Sequence, residues 1–150
     1  MELILWRHAE AEDGSPDLAR ELTAKGHKQA AEMARWLSRH LPKEVRTLVS
    51  PAIRARQTAE ALTRDYTTVK ELSPGAPYTA VLSAAGWPEH KGGVLVVGHQ
   101  PTLGQVAAYL VTSEPADWNI KKGAIWWLTY RMRGDQGQLV VRAVMSPELV

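Results

Sequence analysis

Residues 94–102 read VLVVGHQPT, an apolar run that passes through Gly98-His99 directly into the start of a helix. Four consecutive apolar residues, Val94 to Val97, predict a strand buried on both faces, as in a parallel sheet. The predicted helix carries its apolar residues on one face, and these are Leu103, Val106, Ala107 and Leu110. A buried strand that leads into an amphipathic helix is typical of an α/β fold.

Two earlier segments of the chain show the same pattern of a strand followed by polar residues or a helix start. Glu2 to Arg7 is an apolar run that ends at His8, and Val45 to Val49 is a second strand candidate. Ser50 suits an N-cap and Pro51 the first position of a helix through Asp65. We therefore expect several parallel strands, each followed by a helix.

The remaining segments complete the predicted sheet. Thr23 is predicted to cap a helix that runs to about Arg39. The other expected elements are a weak strand at Thr67 to Leu72, a helix at Tyr78 to Ala85, and two β-rich runs at Ala124 to Tyr130 and Gln138 to Met145. The last two suggest a hairpin at the sheet edge. The sequence predicts an α/β domain with a mainly parallel sheet and an antiparallel edge.

Length and composition limit the classes of function. A chain of 150 residues with a formal net charge of +2 suits one domain, residues 1–150. The absence of cysteine excludes thiolate metal sites and thiol nucleophiles, and agrees with a cytoplasmic location. No apolar run is long enough to span a bilayer, and the basic residues are scattered, so we expect neither a membrane nor a nucleic acid as partner.

Polar residues that could bind a ligand or take part in a reaction follow three of the predicted strands. They are Arg7-His8, Ser50-Pro51 with Arg54 in the next helix, and Gly98-His99. The carboxyl ends of parallel strands lie along one edge of a sheet, where ligands bind in α/β folds. The fold can therefore bring residues that are distant in sequence into one site.

Two arginines and two histidines together suit a phosphoryl group. Guanidinium groups pair with phosphoryl oxygens, and imidazole can attack phosphorus or donate a hydrogen bond. Fixed cationic side chains can also stabilise the charge that Mg²⁺ stabilises in other phosphoryl transfers. We expect no metal and no cofactor at this site.

Three segments, read together, resemble the histidine phosphatase superfamily. They are LWRHAE at residues 5–10, SPAIRARQT at 50–58 and VGHQP at 97–101. The small size, with ELSPG at 71–75, KGAI at 122–125 and MSP at 145–147, is similar to the SixA-type branch, the phosphohistidine phosphatases. Ala9 is a departure, because the family usually has glycine after the first histidine.

The resemblance implies a three-layer α/β/α domain and a covalent mechanism. His8 would attack phosphorus and become phosphorylated, and water would then release inorganic phosphate. Arg7, Arg54 and His99 would hold the phosphoryl oxygens. Two guanidinium charges near His8 would favour the neutral imidazole that the attack requires.

The acid that protonates the leaving group is the open question. Gln100 follows the second histidine where larger relatives have a carboxylate, and an amide cannot donate a proton in that way. Glu71 is the best remaining candidate, although it suits a supporting role on the surface better. Gln57, which shares a helical face with Arg54, is expected to support the site rather than to touch substrate.

The leading hypothesis is a metal-independent phosphatase that acts on phosphohistidine in proteins. The P–N bond of phosphohistidine is labile, so the lack of an evident acid favours that substrate. Short loops favour an open site that accepts the surface of a protein. We expect the enzyme to act as a monomer. One alternative is a phosphatase of small phosphate esters, or a mutase. Another is a non-catalytic phosphate-binding module, which the presence of both His8 and His99 disfavours.

Overall fold

The structure, a computed structural model, describes residues 1–150, which form one six-stranded sheet with helices on both faces. In chain order the elements are β1 (Glu2–Arg7), α1 (Ala24–His40), β2 (Val45–Val49), α2 (Ile53–Glu60), β3 (Thr67–Thr68), α3 (Tyr78–Ala85), β4 (Gly93–Gly98), α4 (Thr102–Thr112), β5 (Ile125–Arg133) and β6 (Gln136–Met145). The strand order across the sheet is β3-β2-β4-β1-β5-β6.

Strand β4 lies at the centre of the parallel part of the sheet. It pairs in parallel with β1 on one side and with β2 on the other, while β5 and β6 add an antiparallel edge. Arg7 lies opposite Gly98, and Val49 lies opposite Val97. This register brings the residues that follow all three strands to one end of the sheet. The predicted fold class is confirmed.

Alternating side chains of the buried strands divide the core into two halves. Leu3 and Leu5 of β1 pack with α3 and α4, whereas Ile4 and Trp6 pack with α1 and α2. The sheet therefore lies between two helical layers, because successive residues of a strand face opposite ways. None of the four α-helices has both the length and the apolar character needed to cross a lipid bilayer.

Helix α2 is shorter than the sequence predicts, at both ends. It begins at Ile53, because Ala52 is still extended and its N–H donates to Ser50 Oγ at 3.2 Å. It ends at Glu60, where the bonding changes to a tighter turn and the N–H of Ala61 donates to the carbonyl of Thr58. The predicted helix through Asp65 is wrong by five residues at this end.

The predicted strand from Thr67 to Leu72 is also too long. Only Thr67 and Thr68 pair with β2, and Lys70–Leu72 form a 3₁₀ turn. The pairing stops because β2 itself ends at Val49, whose carbonyl accepts a last bond from the N–H of Val69. A strand continues only as far as it has a partner.

A close approach of helix α4 to the chain after it gives a stability prediction. A Cβ at Gly104 would overlap the backbone carbonyl of Trp118, whereas a Cβ at Gly98 would meet Leu103 at an ordinary 3.6 Å. We expect Gly104→Ala to lower the free energy of unfolding by about 1–3 kcal/mol, as overpacking does. Urea denaturation measures this, with Gly98→Ala as the control. Equal losses in the two variants would contradict the assignment.

Candidate active site

The carboxyl ends of β1, β2 and β4 open into a polar cavity of about 260 Å³. Its lining includes four residues predicted from the sequence, Arg7, His8, Arg54 and His99. The other lining residues are Ala11, Asp13, Arg20, Pro74, Gln100 and Lys122. The fold thus brings together predicted residues as far apart in the sequence as Arg7 and His99.

His8 follows β1 directly and is held in one tautomer. Its Nδ1 lies 2.7 Å from the carbonyl oxygen of Ala9, and a carbonyl can only accept, so Nδ1 carries the proton. The lone pair is therefore on Nε2, which has no protein partner. Ala9 adopts no positive φ, so alanine is tolerated where the family usually has glycine. The ring is oriented and its free nitrogen is nucleophilic.

His99 follows β4 and faces His8, with 5.1 Å between the ring centroids. Its Nδ1 lies 3.5 Å from Arg54 Nη2, and a guanidinium nitrogen only donates, so Nδ1 is the acceptor. The Nε2–H group then donates to Ser50 Oγ at 2.7 Å. These two bonds indicate that His99 is neutral, with its proton on Nε2 and with the unprotonated Nδ1 facing Arg54.

Ser50 was predicted as the N-cap of α2, and that prediction is wrong. The cap residue of α2 is Ala52, and Ser50 is fully buried beneath His99. Its hydroxyl accepts from both the His99 ring and the N–H of Ala52. A serine after a strand gives the same sequence signal in either role, which is why the pattern was misleading.

Burial and positive charge keep both histidines neutral. Burial is the main reason that the pKa of His8 falls to about 4, and the charges of Arg54 and Arg7 lower it further. The bond to Ala9 raises the pKa of His8 but does not offset these effects. Burial likewise lowers the pKa of His99 to about 3, followed by the effects of His8 and Arg54. Neutral imidazoles therefore prevail at physiological pH.

Arg7 and Arg54 contribute buried donors that no protein group satisfies. The Nη1 of Arg7 donates to the carbonyl of Ile120 at 2.8 Å, but its Nε is buried without an acceptor. The Nε of Arg54 is buried without an acceptor as well, and the Arg54 side chain is only 5% exposed. Buried donors normally have partners, so an unpaired Nε on each of two arginines that line one cavity points to a site for an anion.

The structure places Gln57 and Glu71 outside the cavity lining. Gln57 accepts from the N–H of Leu22 at 2.8 Å and donates to Glu21 at 3.1 Å, so it holds the loop that follows β1. Glu71 lies in the 3₁₀ turn at Lys70–Leu72 and has no hydrogen bond to either site histidine.

Gln100 lines the cavity, but its amide is already occupied. Its Nε2 donates to the carbonyl of Trp118 and its Oε1 accepts from the N–H of Gly104, both at 2.8 Å. An amide held at both ends fixes the start of α4 against the chain around Trp118. Gln100 therefore has a structural explanation that needs no proton transfer.

Sequence reasoning did not single out several residues that build the site. Thr58 accepts from the N–H of Ala9 at 3.0 Å and donates to the carbonyl of Arg54, which joins α2 to the His8 loop. Asp17 binds Arg54, and Arg20 and Asp13 line the cavity. Thr58 could have been found from its i+4 spacing to Arg54, whereas the loop residues carry no periodic signal.

Comparison with known proteins places the chain in a family. The profile of the histidine phosphatase superfamily (branch 1) matches residues 3–75. Phosphohistidine phosphatase SixA of Escherichia coli (strain K12) is 32% identical over 123 residues, which cover 76% of this chain and 76% of that protein.

Solved structures agree with this similarity. The protein histidine phosphatase SixA complexed with tungstate matches with a TM-score of 0.81 and 29% identity, over 99% of both chains. Phosphoserine phosphatase of Entamoeba histolytica matches with a TM-score of 0.73 over 97% of this chain and 96% of that one. Its 18% identity shows a shared fold alone. By its identity to SixA over three quarters of its length, the chain belongs to the histidine phosphatase superfamily and is a phosphatase of the SixA-like branch.

Proposed function

We propose that this phosphatase hydrolyses phosphohistidine on proteins through a covalent phospho-His8 intermediate, without a metal ion, and that residues 1–150 form its single catalytic domain. The observation that carries the proposal is the neutral His8 ring, whose unpartnered Nε2 lies in a cavity lined by Arg7 and Arg54. A nucleophile among fixed cations suits phosphoryl transfer.

Binding of the phosphoryl group would use the unpaired donors. Nη1 and Nη2 of Arg54 bind Asp17, and the second N–H of Nη2 donates to His99 Nδ1. The Nε is therefore free for one phosphoryl oxygen, and Nη2 would become free for another once His99 Nδ1 is protonated. Arg7 offers its Nε. A bound anion raises the pKa of His99, so that its Nδ1 can gain a proton and donate as well.

In the first chemical step the lone pair of His8 Nε2 forms a new bond to phosphorus. The bond between phosphorus and the substrate ring nitrogen breaks, and its electron pair stays on that nitrogen. The other nitrogen of the substrate ring carries a proton, so the ring departs as neutral imidazole. Arg7 and Arg54 stabilise the charge that spreads over the three phosphoryl oxygens. His8 keeps its Nδ1 proton throughout, because the carbonyl of Ala9 accepts it.

In the second step water attacks phospho-His8. A bond forms between the water oxygen and phosphorus, the P–N bond breaks, and its electron pair returns to His8 Nε2. The water proton passes to solvent and inorganic phosphate leaves. The Nδ1 proton held by Ala9 makes the phosphorylated ring cationic, which favours its departure as neutral imidazole.

Two observations support phosphohistidine as the substrate. Neither Gln100 nor Glu71 is placed to protonate a leaving group, and an imidazole leaves more readily than an alkoxide. The similar protein from Escherichia coli is a phosphohistidine phosphatase, and the solved SixA structure holds tungstate, a phosphate-like oxyanion. An exposed cavity mouth suits a phosphohistidine carried on a protein surface.

One observation favours a second candidate function. The Asp13 carboxylate lines the cavity, and a carboxylic acid there could protonate the oxygen of a departing ester. In that case the enzyme would be a phosphatase of small phosphate esters. The two candidates differ in the leaving group and therefore in substrate preference.

A test of the substrate uses the purified protein in EDTA with a histidine-phosphorylated protein and, separately, with O-phosphoserine, an ester whose alkoxide leaving group needs an acid. We expect rapid phosphate release from the phosphoprotein, slow release from the ester, and loss of at least about a thousandfold in rate in His8→Ala, because the nucleophile is gone. Exposed His27, replaced by alanine, is the matched control and should retain full activity. Fast ester cleavage would instead support the second candidate, and no release from either substrate would support a binding module.

The position of Glu71 outside the cavity gives a second prediction. Glu71→Gln should leave the rates on both substrates within about twofold of the unaltered enzyme, because the carboxylate does not line the cavity. Steady-state kinetics on the two substrates measure this. A selective loss of ester cleavage would show that Glu71 is the acid after all.

The neutral state of His8 can be measured by NMR titration of its ring nitrogens. We expect a midpoint near pH 4, because burial lowers its pKa, compared with about 6.5 for an ordinary histidine. The unfolded chain binds more protons than the folded one between these values. The contribution of His8 to the free energy of unfolding is therefore fully present above pH 6.5 and is lost as the pH falls towards 4. A midpoint near 6.5 would contradict the buried, neutral nucleophile.

A further inference from the structure

A carboxylate in the loop between β1 and α1 holds two of the cavity arginines. Asp17 Oδ2 accepts from Arg54 Nη2 at 3.1 Å, and Asp17 Oδ1 accepts from Arg20 Nη1 at 3.0 Å. The main-chain oxygen of Asp17 also accepts from Arg54 Nη1 at 2.8 Å. Asp17 itself is not among the residues that line the cavity.

These contacts fix the orientation of the Arg54 guanidinium. Both terminal nitrogens bind Asp17, and the group is planar, so the direction of its remaining edge is determined. That edge carries the unpartnered Nε and lies beside His99 Nδ1. The donors proposed for the phosphoryl oxygens are thus aimed by Asp17.

The negative charge of Asp17 has the opposite effect on an anion. A carboxylate near a phosphoryl group repels it, and this repulsion alone would weaken binding. The Asp17 side chain is 54% exposed, so solvent screens its charge, whereas the Arg54 side chain that it orients is 5% exposed. Orientation of Arg54 by Asp17 should therefore strengthen anion binding more than the repulsion from the Asp17 charge weakens it.

We propose that Asp17 is a positioning residue, which makes the phosphoryl site stronger by orienting Arg54 although its own charge opposes the bound anion. The proposal rests on the function proposed above. Arg20 takes part in the same arrangement, because its Nε donates to the carbonyl of Glu12 at 2.7 Å while its Nη1 binds Asp17. The loop is thereby tied to the helix that carries Arg54.

The two effects of Asp17 predict opposite results, which makes a binding experiment decisive. Orthovanadate and inorganic phosphate are the probes, titrated into the unaltered protein, Asp17→Ala and Asp17→Asn by calorimetry. We expect Asp17→Ala to weaken vanadate binding about tenfold, the effect of losing one charge-assisted hydrogen bond. Asp17→Asn keeps an oxygen that can accept from Arg54, so its loss should be smaller but of the same sign.

Kinetics and a matched control separate positioning from a merely structural role. With the phosphohistidine protein as substrate, the loss of activity in Asp17→Ala should appear mainly in kcat. The transition state, which vanadate resembles, depends on the oriented edge of the Arg54 guanidinium more than the bound substrate does. The control is Glu12→Ala, which removes an exposed carboxylate of the same loop whose side chain binds neither arginine. It should leave vanadate affinity unchanged or slightly higher.

Vanadate binding that is unchanged or tighter in Asp17→Ala would overturn the proposal, since only charge would then matter. If that variant does not fold by circular dichroism, Asp17→Asn carries the test, and weaker binding supports the proposal while unchanged or tighter binding overturns it. Failure of the unaltered protein to bind either probe would overturn the proposed phosphoryl site itself. That outcome is distinct from normal binding with no effect of Asp17.

Discussion

The parallel pairing of β1 and β2 with β4 is the constraint on which the site depends. Because β4 lies between the other two, the residues after Arg7, Val49 and Val97 emerge at one end of the sheet. Strands β1 and β4 are buried on both faces, as are the last three residues of β2, so a shift in register would carry apolar side chains out of the core. The energy of the core thereby determines the distance between His8 and His99.

The cavity at this end of the sheet combines buried positive charge with neutral histidine rings. Arg54 is buried, and part of its charge is offset by Asp17, while Arg7 is held through the carbonyl of Ile120. Burial is the main reason that His8 stays neutral, and the charges of Arg54 and Arg7 add to it. The carbonyl of Ala9 selects the tautomer that leaves Nε2 free. The arrangement proposed to bind a phosphoryl anion is therefore the same one that keeps His8, the proposed nucleophile, unprotonated.

The sequence predicted the parts of this structure that follow from periodicity and strand order. The strands at β1, β2 and β4, the helix at Tyr78–Ala85 and the edge hairpin all follow from local apolar patterns. The meeting of His8, Arg54 and His99 follows from the general rule for strand ends in parallel sheets. Their chemical roles remain predictions, because geometry alone does not show a reaction.

What the sequence did not reveal depends on contacts between distant segments. Ser50 has the pattern of an N-cap, and only the position of His99 shows where its hydroxyl points. Asp17 lies in a loop without periodicity, so nothing in the pattern connects it with Arg54, 37 residues later. The length of β3 was likewise set by where its partner ends, which no local pattern of residues 67–72 contains.

The central claim is that the phosphoryl group passes through His8. The most direct measurement is rapid mixing of the enzyme with ³²P-labelled histidine phosphoprotein, followed by alkaline quenching and mapping of the label by mass spectrometry. We expect a phosphoryl group on Nε2 of His8, stable in base and labile in acid, that forms and decays fast enough to account for turnover. Turnover without labelled enzyme, with water attacking the substrate directly, would contradict it.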